Sequence, residues 1–445
     1  MGRGARFAAD GGLNRLGREI GIGLIGVGTV GGGVARALIE RREYFARQVG
    51  AEIVVRRAAV RDISKPRAVE LPAGVLTGDA ASVLSDPGVD IVVEVAGGEE
   101  PAGTWIRQAL AAGKHVVTAN KELMAKQGPE LLAEAHARGL DLMFEASVGG
   151  GIPLIAPLRR DLLANRITSI RAIINGTTNY ILTRMTHEGT DYPDALAAAQ
   201  ELGYAEPDPT NDVEGYDAAY KLAIIASLGF RTRVRPTDID VQGITKLSAA
   251  DFQTAAELGY VIKLLAIAEQ RDDGIVARVA PVFLPASEPL AKVDDVYNAV
   301  QIEGDLTGAV LFQGRGAGAA PSASAVVADV LDLSHAIVLG TRERKYWTPE
   351  GELPILGPGA LETRYYLRLT VTDRPGVLAQ IAHALGAAEV SIAAVVQKEG
   401  DDDTRTADLV IMTHRARETA MQAALSEIGQ LPVVVGVRSF LRVEG

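Results

Sequence analysis

Hydrophobic and polar positions follow two kinds of pattern along residues 19–150. Short runs rich in Val and Ile predict strands, and longer stretches with apolar residues three and four positions apart predict helices. The predicted strands are Ile20–Ile25, Ile53–Val60, Ile91–Val95, His115–Thr118 and Asp141–Phe144, and the predicted helices are Val34–Arg47, Trp105–Ala112 and Leu123–Arg138. Because near-continuous apolar strands alternating with helices are typical of a parallel sheet covered on both faces, we expect an α/β domain here.

The pattern changes after Gly149, and residues 151–345 are predicted to form a second α/β domain with one mixed sheet under helices. Its predicted helical stretches are Pro153–Ala164 and Val213–Leu228, and its predicted strands are Thr168–Ile174, Ile275–Leu284, Val300–Ile302 and Val310–Gln313. A segment near residues 314–335 is expected to return to the first domain and complete it.

The last part of the chain, residues 363–445, shows the order βαββαβ of a ferredoxin-like fold. The strands are expected at Tyr365–Val371, Val390–Gln397, Thr406–Thr413 and Val433–Leu441, and the helices at Val377–Leu385 and Arg415–Ile428. Residues 346–362 lie in a stretch rich in Gly, Pro and charge, which predicts a linker. Residues 1–18 carry arginines but lack the apolar stretch of a signal peptide, so we expect a flexible tail.

Composition narrows the class of protein. A chain of 445 residues is too long for one core. The net charge of −11, with scattered basic residues, argues against nucleic acid or an anionic membrane surface as a partner. The chain has no cysteine, which excludes disulfides, a thiolate nucleophile and a cysteine-based zinc site. The absence of cysteine fits a reducing cytoplasm, where we expect the protein. No apolar run approaches the ~20 residues that span a bilayer.

A glycine-rich motif follows the first predicted strand and opens the first helix. It is Gly26-Val27-Gly28-Thr29-Val30-Gly31. Gly26 permits the tight turn, Gly28 lets the backbone approach a pyrophosphate, and Gly31 allows close packing of helix on strand. A purely structural glycine turn is the alternative. The position at the head of a βαβ series favours a Rossmann-type domain that binds NAD or NADP.

The choice between the two coenzymes depends on the end of the second strand. An acid there accepts from the ribose 2′-hydroxyl of NAD, whereas an arginine accommodates the 2′-phosphate of NADP. This strand runs into Arg61-Asp62. Arg61 favours NADP, but Asp62 leaves NAD open, because the sequence does not fix which side chain faces the ribose.

The densest polar run is Tyr204–Lys221. Pro207 and Pro209 predict a loop, and Asn211 or Asp212 is expected to cap a helix that runs to about Leu228 and stops at Gly229. Asp217 and Lys221 would share one face of that helix.

A surface ion pair between Asp217 and Lys221, worth only ~0.3–0.5 kcal/mol, is the alternative to a functional site. The helix beyond Lys221 is apolar nearly all round, which is typical of a buried segment. Five acids also lie between Glu206 and Asp217, which indicates that they meet a cation. Both features favour a site.

Two further groups carry candidate chemistry. Thr118–Glu122 lies at the carboxyl end of a predicted strand, where open α/β sheets bind ligands, although Asn120 could instead be a simple helix cap with Lys121 solvated. Gly314–Gly318 is either a flexible turn or a backbone that approaches a cofactor.

Taken together, these groups resemble homoserine dehydrogenase. The motifs that carry the resemblance are Gly26–Gly31, Val93–Gly98, Thr118–Lys121, Glu145–Pro153, Asn175–Thr177, Gly203–Lys221 and Gly314–Asp329. They occur in order across residues 19 to 345, and a run of ordered motifs is far more specific than any one of them. The segment from Tyr365 is similar to an ACT domain.

The resemblance implies the interconversion of L-homoserine and L-aspartate 4-semialdehyde by hydride transfer with NAD(P), in threonine, methionine and isoleucine biosynthesis. It makes Lys221 the proton donor, Lys121 a second active-site amine and Asp217 the residue that positions Lys221. The residues implied to hold the amino-acid end of the substrate are Glu206, Asp212, Tyr204, Gly176 and Thr177. Those implied to contact the cofactor, besides the glycine motif, Arg61 and Lys121, are Gly97, Asn120 and Gly316.

Three further expectations come from the resemblance. A monovalent cation, usually sodium, would bind backbone oxygens of Glu145, Val148, Gly150 and Ile152. The chain would form a homodimer or homotetramer. The ACT domain would bind an amino-acid effector, most plausibly L-threonine, although a packing role alone is the alternative.

The chemistry of the residues agrees with this activity. Reduction of an aldehyde builds negative charge on its oxygen, and a partly desolvated lysine can supply the proton. The substrate's ammonium group needs carboxylates, which Glu206 and Asp212 provide. Two alternatives stay open: a dehydrogenase of another small semialdehyde, and a non-catalytic regulator that senses NAD(P) and an amino acid. A phosphorylating aldehyde dehydrogenase is excluded, because it needs a cysteine nucleophile.

Overall fold

The structure is a computed structural model that describes residues 18–341, 353–397 and 405–445. These residues form two compact units. Unit 1 contains 18–161 and 315–341, and unit 2 contains 162–314 with 353–397 and 405–445. Of the expected tail, residues 1–18, all but Arg18 lies outside the described residues.

Short strands alternate with helices through unit 1, and longer strands follow in unit 2. In chain order, the strands are β1 Glu19–Ile25, β2 Glu52–Ala59, β3 Leu76–Thr77, β4 Ile91–Glu94, β5 His115–Thr118, β6 Leu142–Met143, β7 Ile167–Ile173, β8 Asp240–Val241, β9 Tyr260–Arg271, β10 Gly274–Pro285, β11 Tyr297–Gly304, β12 Gly308–Arg315, β13 Ile355–Leu356, β14 Glu362–Thr372, β15 Ile392–Gln397, β16 Thr406–Thr413, β17 Ala416–Arg417 and β18 Val434–Val443. The helices are α1 Thr29–Glu40, α2 Arg42–Val49, α3 Ala80–Leu84, α4 Ala102–Ala111, α5 Lys121–Ala137, α6 Gly176–Glu188, α7 Tyr192–Glu201, α8 Thr210–Val213, α9 Tyr216–Phe230, α10 Ala249–Glu257, α11 Ala319–Leu339, α12 Val377–Ala387 and α13 Glu418–Ile428.

Unit 1 is built on a six-stranded sheet in the order β3-β2-β1-β4-β5-β6. All its strands run parallel. This is the strand order of a Rossmann fold, in which ligands bind beyond the carboxyl ends of the strands. The Rossmann prediction is confirmed. The five predicted strands begin and end within two residues of their predicted positions, whereas the two-residue strand β3 was not predicted.

One predicted helix of unit 1 is wrong in extent. The stretch Val34–Arg47 is part of two helices, α1 and α2, because the backbone at Arg41 leaves the helical conformation. The helix predicted at Pro153–Ala164, in the second domain, is shorter in the structure: residues 155–161 are helical, and Pro157–Asp161 has π-helical geometry. The Glu145 carboxylate accepts the backbone N–H groups of the three residues that precede the π-helical segment. A side chain that is distant along the chain therefore fixes the beginning of this segment.

Helix α11 follows residues 162–314 of unit 2 in the sequence but belongs to unit 1. It completes the core of unit 1. It packs on α1, where a Cβ on Gly33 would lie 2.9 Å from the carbonyl oxygen of Ala319. Val326 and Val330 are fully buried in one cluster with Ile22 of β1. Among the described helices, α11 is the one long and apolar enough to cross a membrane by length and composition. Its burial against the sheet shows that it is a core helix.

Unit 2 is built on a twelve-stranded mixed sheet, whose main path is β12-β11-β7-β9-β10-β18-β14-β16-β15. Strands β9 and β10 form a long antiparallel hairpin at its centre. Sequence analysis did not predict β9, because its buried residues include helix-forming Leu and Ala and do not alternate with polar ones. The mixed sheet itself is confirmed.

The C-terminal βαββαβ segment belongs to the same sheet. Its last strand, β18, runs parallel to β10 and pairs Val282 with Arg442. Of the expected linker, 346–362, the part up to residue 352 lies outside the described residues, whereas Ile355–Leu356 pairs with β10. Helices α12 and α13 cover one face of the C-terminal strands in a separate apolar core. The described part of this connection is therefore paired with the sheet of unit 2.

Buried charges lie where the C-terminal strands meet the rest of unit 2. We call these residues the seam. The Arg368 guanidinium contacts Asp251 of α10 at 2.9 Å, and Arg442 contacts Glu418 at 3.0 Å and Asp240 at 2.9 Å. The remaining members of the seam are Arg278 and Glu444, paired at 2.5 Å, and the stacked rings of Phe283 and Tyr366, whose centroids are 4.2 Å apart.

Candidate functional site

The glycine motif forms the turn between β1 and α1. Gly26 has φ +101°, and a Cβ there would lie 2.9 Å from the carbonyl oxygen of Val95. A Cβ on Gly31 would lie 2.0 Å from the carbonyl oxygen of Gly26, so only glycine lets the helix approach the turn this closely. Gly28 precedes the first residue of α1, and a Cβ there would meet no atom within 4 Å.

The beginning of α1 has the features of an anion site. No side chain caps the helix, and its first turn contains no acid. Backbone N–H groups and the helix dipole therefore face the open space beside Gly28. A pyrophosphate fits this arrangement, because its charge complements the helix end and the glycine leaves room for its oxygens.

A second loop of unit 1 is shaped by a buried acid at the end of β4. Glu94 accepts the N–H groups of Ala96 and Gly97 and the hydroxyl of Thr118, which donates from β5 at 2.7 Å. These bonds tie the carboxyl ends of two neighbouring strands together. Gly97 follows with φ +77°, so the loop turns sharply beyond the carboxyl ends of the strands, where open α/β sheets bind ligands.

Asn120 is the N-cap of α5 and also more than a cap. Its side-chain oxygen accepts the Leu123 N–H, as the simpler interpretation expects. Its amide nitrogen donates to the carbonyl of Gly98 at 2.6 Å, which fixes the loop that follows β4. Lys121 is the first residue of α5 and lies at this same sheet edge.

The end of β2 places Arg61 and Asp62 on the surface. The Asp62 carboxylate accepts both the N–H and the hydroxyl of Ser64, at 2.9 and 2.6 Å. These bonds from Ser64 lower the pKa of Asp62 below its ordinary value. The Asp62 carboxylate is therefore engaged by its own turn.

The four residues expected to hold a cation lie in one buried loop of unit 1. Gly149 and Gly150 have φ +73° and +53°, and the Gly151 N–H donates to the carbonyl of Arg315. A Cβ on Gly150 would lie 2.4 Å from the carbonyl oxygen of Gly316, so the expected cofactor loop packs directly on this one. Val148 and Ile152 are buried beside them.

Glu145 opens this loop, and its carboxylate is fully occupied. It accepts the N–H groups of Leu154, Ile155 and Ala156 at 2.6 to 2.9 Å. Its own N–H donates to Asp329 of α11, and burial raises the pKa of Asp329 to about 8. Within residues 18–341, 353–397 and 405–445 no group of three or more acidic or histidine side chains could hold a metal ion. A cation here would rely on backbone oxygens, which suit a hard ion.

In unit 2 the polar run contains two helices instead of the single predicted one. The expected cap at Asn211 or Asp212 is wrong, and so is the stop at Gly229. Gly215 adopts φ +87°, so α8 ends before it and α9 starts after it, and α9 continues to Phe230. The break allows residues on both helices to face the same point.

Asp217 and Lys221 form a buried pair on α9. The Lys221 ammonium donates to the Asp217 carboxylate at 2.6 Å and to the carbonyl of Ile174 at 2.8 Å. The side chain of Lys221 is only 13% exposed and that of Asp217 only 3%. The alternative of a solvated surface pair is therefore wrong.

Asn175 connects this pair to Asp212. Its amide nitrogen donates to Asp212 at 2.6 Å and to Asp217 at 2.8 Å. Of the other acids in the run, Asp208 accepts from Thr210 and Glu214 accepts from Thr245. Asp208 and Glu214 are thus bonded to residues outside the cluster, whereas Asp212 and Asp217 converge on Asn175.

The other residues expected to bind substrate adjoin this cluster. The Thr177 hydroxyl donates to the carbonyl of Tyr204 at 2.7 Å, and Gly176 begins α6. The Tyr204 ring lies against that of Tyr180, with centroids 5.0 Å apart. Glu206 is exposed on the loop that follows, and its carbonyl accepts from Gln200.

Comparison with protein families decides what these two units are. Residues 26–145 match the model described as "Homoserine dehydrogenase, NAD binding domain", residues 153–331 match "Homoserine dehydrogenase", and residues 365–433 match "ACT domain". The homoserine dehydrogenase of Corynebacterium glutamicum is 45% identical over 436 residues, which cover 96% of each chain. The chain belongs to the homoserine dehydrogenase family.

Solved structures of homoserine dehydrogenases have the same fold. The enzyme from Thiobacillus denitrificans superposes with a TM-score of 0.90 at 44% identity, covering 96% of this chain and 98% of that one. A hyperthermophilic archaeal homoserine dehydrogenase in complex with NADPH gives a TM-score of 0.60 at 28% identity, covering 71% and 97%. Membership of this family makes the chain an NAD(P)-dependent oxidoreductase with a Rossmann-type domain and an ACT domain.

Sequence analysis did not assign roles to three buried side chains. Glu94, Asn175 and Asp329 were named only within motifs. Each makes at least one bond to a residue that is distant in the chain, such as that of Asn175 to Asp217, which is 42 positions away. A short motif does not reveal such partners. The one signal in the sequence is a polar residue among apolar ones, which indicates a buried polar group but not what it bonds to.

Proposed function

We propose that the chain catalyses the reversible reduction of L-aspartate 4-semialdehyde to L-homoserine with NADPH, and that Lys221 donates the proton to the aldehyde oxygen. The buried Lys221–Asp217 pair carries this proposal. An ammonium held by a carboxylate and a carbonyl keeps a fixed orientation, which a proton donor needs. Lys121 is proposed as a second active-site amine.

The amino-acid end of the substrate has suitable partners in unit 2. Asp212 and Glu206 supply carboxylates for its ammonium group. Gly176 and Thr177 form the first turn of α6, whose N–H groups and dipole favour the substrate carboxylate. The Tyr204 ring covers Tyr180 at the same place and would limit the space beside the substrate.

The cofactor would be held by unit 1. When bound, the reduced nicotinamide supplies the hydride. The pyrophosphate would lie on Gly26–Gly31, Arg61 would contact the 2′-phosphate of NADP, and the loops at Gly97, Asn120 and Gly316 would border the nicotinamide half. The preference for NADP is supported by Asp62, which is held by Ser64, and by the NADPH complex of the archaeal relative. Backbone oxygens of Glu145, Val148, Gly150 and Ile152 are proposed to bind sodium.

A spectrophotometric assay of homoserine-dependent NADPH formation tests the proposed function. The full-length protein should reduce NADP with L-homoserine. It should be inactive with D-homoserine, because the sites for the ammonium and carboxylate groups accept only one enantiomer. Turnover of another hydroxy acid without turnover of homoserine would assign a different dehydrogenase. Cofactor binding without any turnover would assign a regulator.

We also propose that the ACT domain binds L-threonine, in a cytoplasmic homodimer or homotetramer. Gly376 has φ +88° and is the N-cap residue of α12, which no side chain caps, so backbone N–H groups are available to a carboxylate. Threonine at millimolar concentration should lower the activity of the full-length enzyme. Unchanged activity with threonine and with other amino acids derived from aspartate would leave the domain a packing role.

A further inference from the structure

Asn175 occupies a position that the proposed catalytic and binding residues do not explain. It is the N-cap of α6 and is 5% exposed. Its side-chain oxygen accepts the N–H of Thr178 at 2.8 Å and the Thr178 hydroxyl at 2.9 Å. Because a backbone N–H can only donate, this bond fixes which end of the amide is oxygen, and the amide nitrogen must face the two carboxylates.

Both N–H groups of this amide are used. One donates to Asp212 at 2.6 Å and the other to Asp217 at 2.8 Å. The Asp217 oxygen that accepts from Asn175 is also the one that accepts from Lys221. The neighbouring carbonyl, that of Ile174, accepts from the same Lys221 ammonium. The two adjacent residues 174 and 175 therefore hold both members of the ion pair.

We infer that Asn175 is a positioning residue that sets the distance between the proton donor and the site for the substrate's amino group. This inference rests on the proposed function. Asp212, on α8, is proposed to bind the ammonium group, and Asp217, on α9, orients Lys221. Gly215, with φ +87°, separates the two helices, so the distance between Asp212 and Asp217 is not fixed by a continuous helix. One neutral amide bridges them and offsets the repulsion between two nearby carboxylates.

Two substitutions separate this role from helix capping. Asn175→Ser and Asn175→Asp both keep a side-chain oxygen that can accept the Thr178 N–H, so α6 keeps its cap. Both lack the two N–H donors. Asn175→Asp also adds a third carboxylate to the cluster, which makes it the more severe change.

Steady-state kinetics of the full-length enzyme test the inference. Both variants should lose about 10²-fold in kcat, because a misplaced reacting group costs about that much, and should show a raised KM for homoserine. The KM for NADP should stay near the wild-type value in both variants. The thermal midpoint should stay near it in Asn175→Ser, whereas Asn175→Asp should lower it, because a third carboxylate is buried in the cluster. As a control, Asp79→Ala removes the N-cap of α3 in unit 1 and should lower the thermal midpoint without changing kcat.

The outcomes separate this inference from the proposed function. Wild-type turnover of homoserine tests the function, and the ratio of variant to wild type tests Asn175. Variants whose kcat and homoserine KM remain within about twofold of wild type would overturn the inference. The inference would also be overturned if Asp79→Ala, with a similarly lowered thermal midpoint, lost as much kcat as the Asn175 variants, because the loss would then follow from destabilisation alone.

Discussion

At the scale of single residues, burial distinguishes a functional ion pair from an ordinary one. Asp217 and Lys221 have the spacing of a surface pair, and their spacing alone is worth little. The structure instead places both side chains inside unit 2, with Ile174 and Asn175 as further partners. The sequence contained the spacing and the apolar surroundings of Lys221. It did not reveal the partners, because they lie in the connection between β7 and α6, more than 40 positions earlier in the chain.

Lys221→Ala should lower kcat by about 10²–10⁴-fold, because removal of a general acid or base typically costs that much. The fold should survive, since alanine is tolerated within a helix. Lys292→Ala, at an exposed lysine of the same unit, is the matched control and should leave kcat unchanged. Retention of more than about a tenth of the wild-type kcat by Lys221→Ala would remove Lys221 from the proton-donor role.

Arg61→Ala should weaken binding of NADPH by roughly tenfold or more and leave binding of NADH nearly unchanged. A hydrogen bond to a charged group is worth about 1.5–3 kcal/mol, and only NADPH has the 2′-phosphate that would receive it. Fluorescence titration of both coenzymes measures the effect, with the exposed Arg138→Ala as control. Equal losses for the two coenzymes would show that Arg61 does not contact the 2′-phosphate.

At the scale of elements, periodic patterns predicted the parallel strands well and failed where a helix breaks or a strand is buried on both faces. The β5 strand lies where its apolar run predicted it. Helix α9 starts after Gly215, a left-handed residue that an apolar pattern does not reveal. Strand β9 escaped prediction because its apolar residues are continuous and its composition suits a helix.

Two glycines of the β1–α1 turn should respond differently to alanine. Gly31→Ala should destabilise the protein by about 1–3 kcal/mol or more, because the new Cβ meets a backbone oxygen at 2.0 Å. Gly28→Ala should change stability little, since a Cβ there meets no atom within 4 Å, but should weaken NADPH binding by obstructing the pyrophosphate. Thermal melts without cofactor, together with titrations, separate the effects. Unimpaired NADPH binding by Gly28→Ala would show that the pyrophosphate does not bind beside Gly28.

At the scale of the whole chain, the C-terminal segment is continuous with the sheet of unit 2. Sequence analysis expected a linker before it, since Gly, Pro and charge are typical of linkers. The pairing of Ile355–Leu356 with β10 is long-range, and its short apolar run is too brief to show a periodicity. The pairing of β18 with β10 is equally invisible in sequence, because strand partners are set by packing.

The seam should make unit 2 sensitive to acid. Burial alone would raise the pKa values of Asp251 and Glu418, but bonds from Arg368 and Arg442 hold both below their ordinary values. The unfolded chain therefore binds more protons than the folded one. The stabilisation is present above the ordinary pKa values of 3.8 and 4.5 and is lost as pH falls through the lower folded values.

Thermal midpoints measured from about pH 6 down to about pH 3 should fall steeply for the wild type. Asp251→Asn should already be destabilised by about 3–5 kcal/mol at neutral pH, because Arg368 loses a buried charge partner. The variant should then lose less on acidification than the wild type. Glu427→Gln, at an exposed acid of the same unit, serves as control. An identical acid response of Asp251→Asn and wild type would show that the seam does not set it.

The return of α11 has a consequence for how the chain is made. Residues 18–161 leave the ribosome long before α11, because residues 162–314 are synthesised in between. Until then the apolar surface that Val326 and Val330 will cover on β1 and α1 has no partner. Exposed apolar surface in a nascent chain favours aggregation. The Rossmann sheet is thus begun first and finished late, and this part of its apolar surface stays uncovered while residues 162–314 are synthesised.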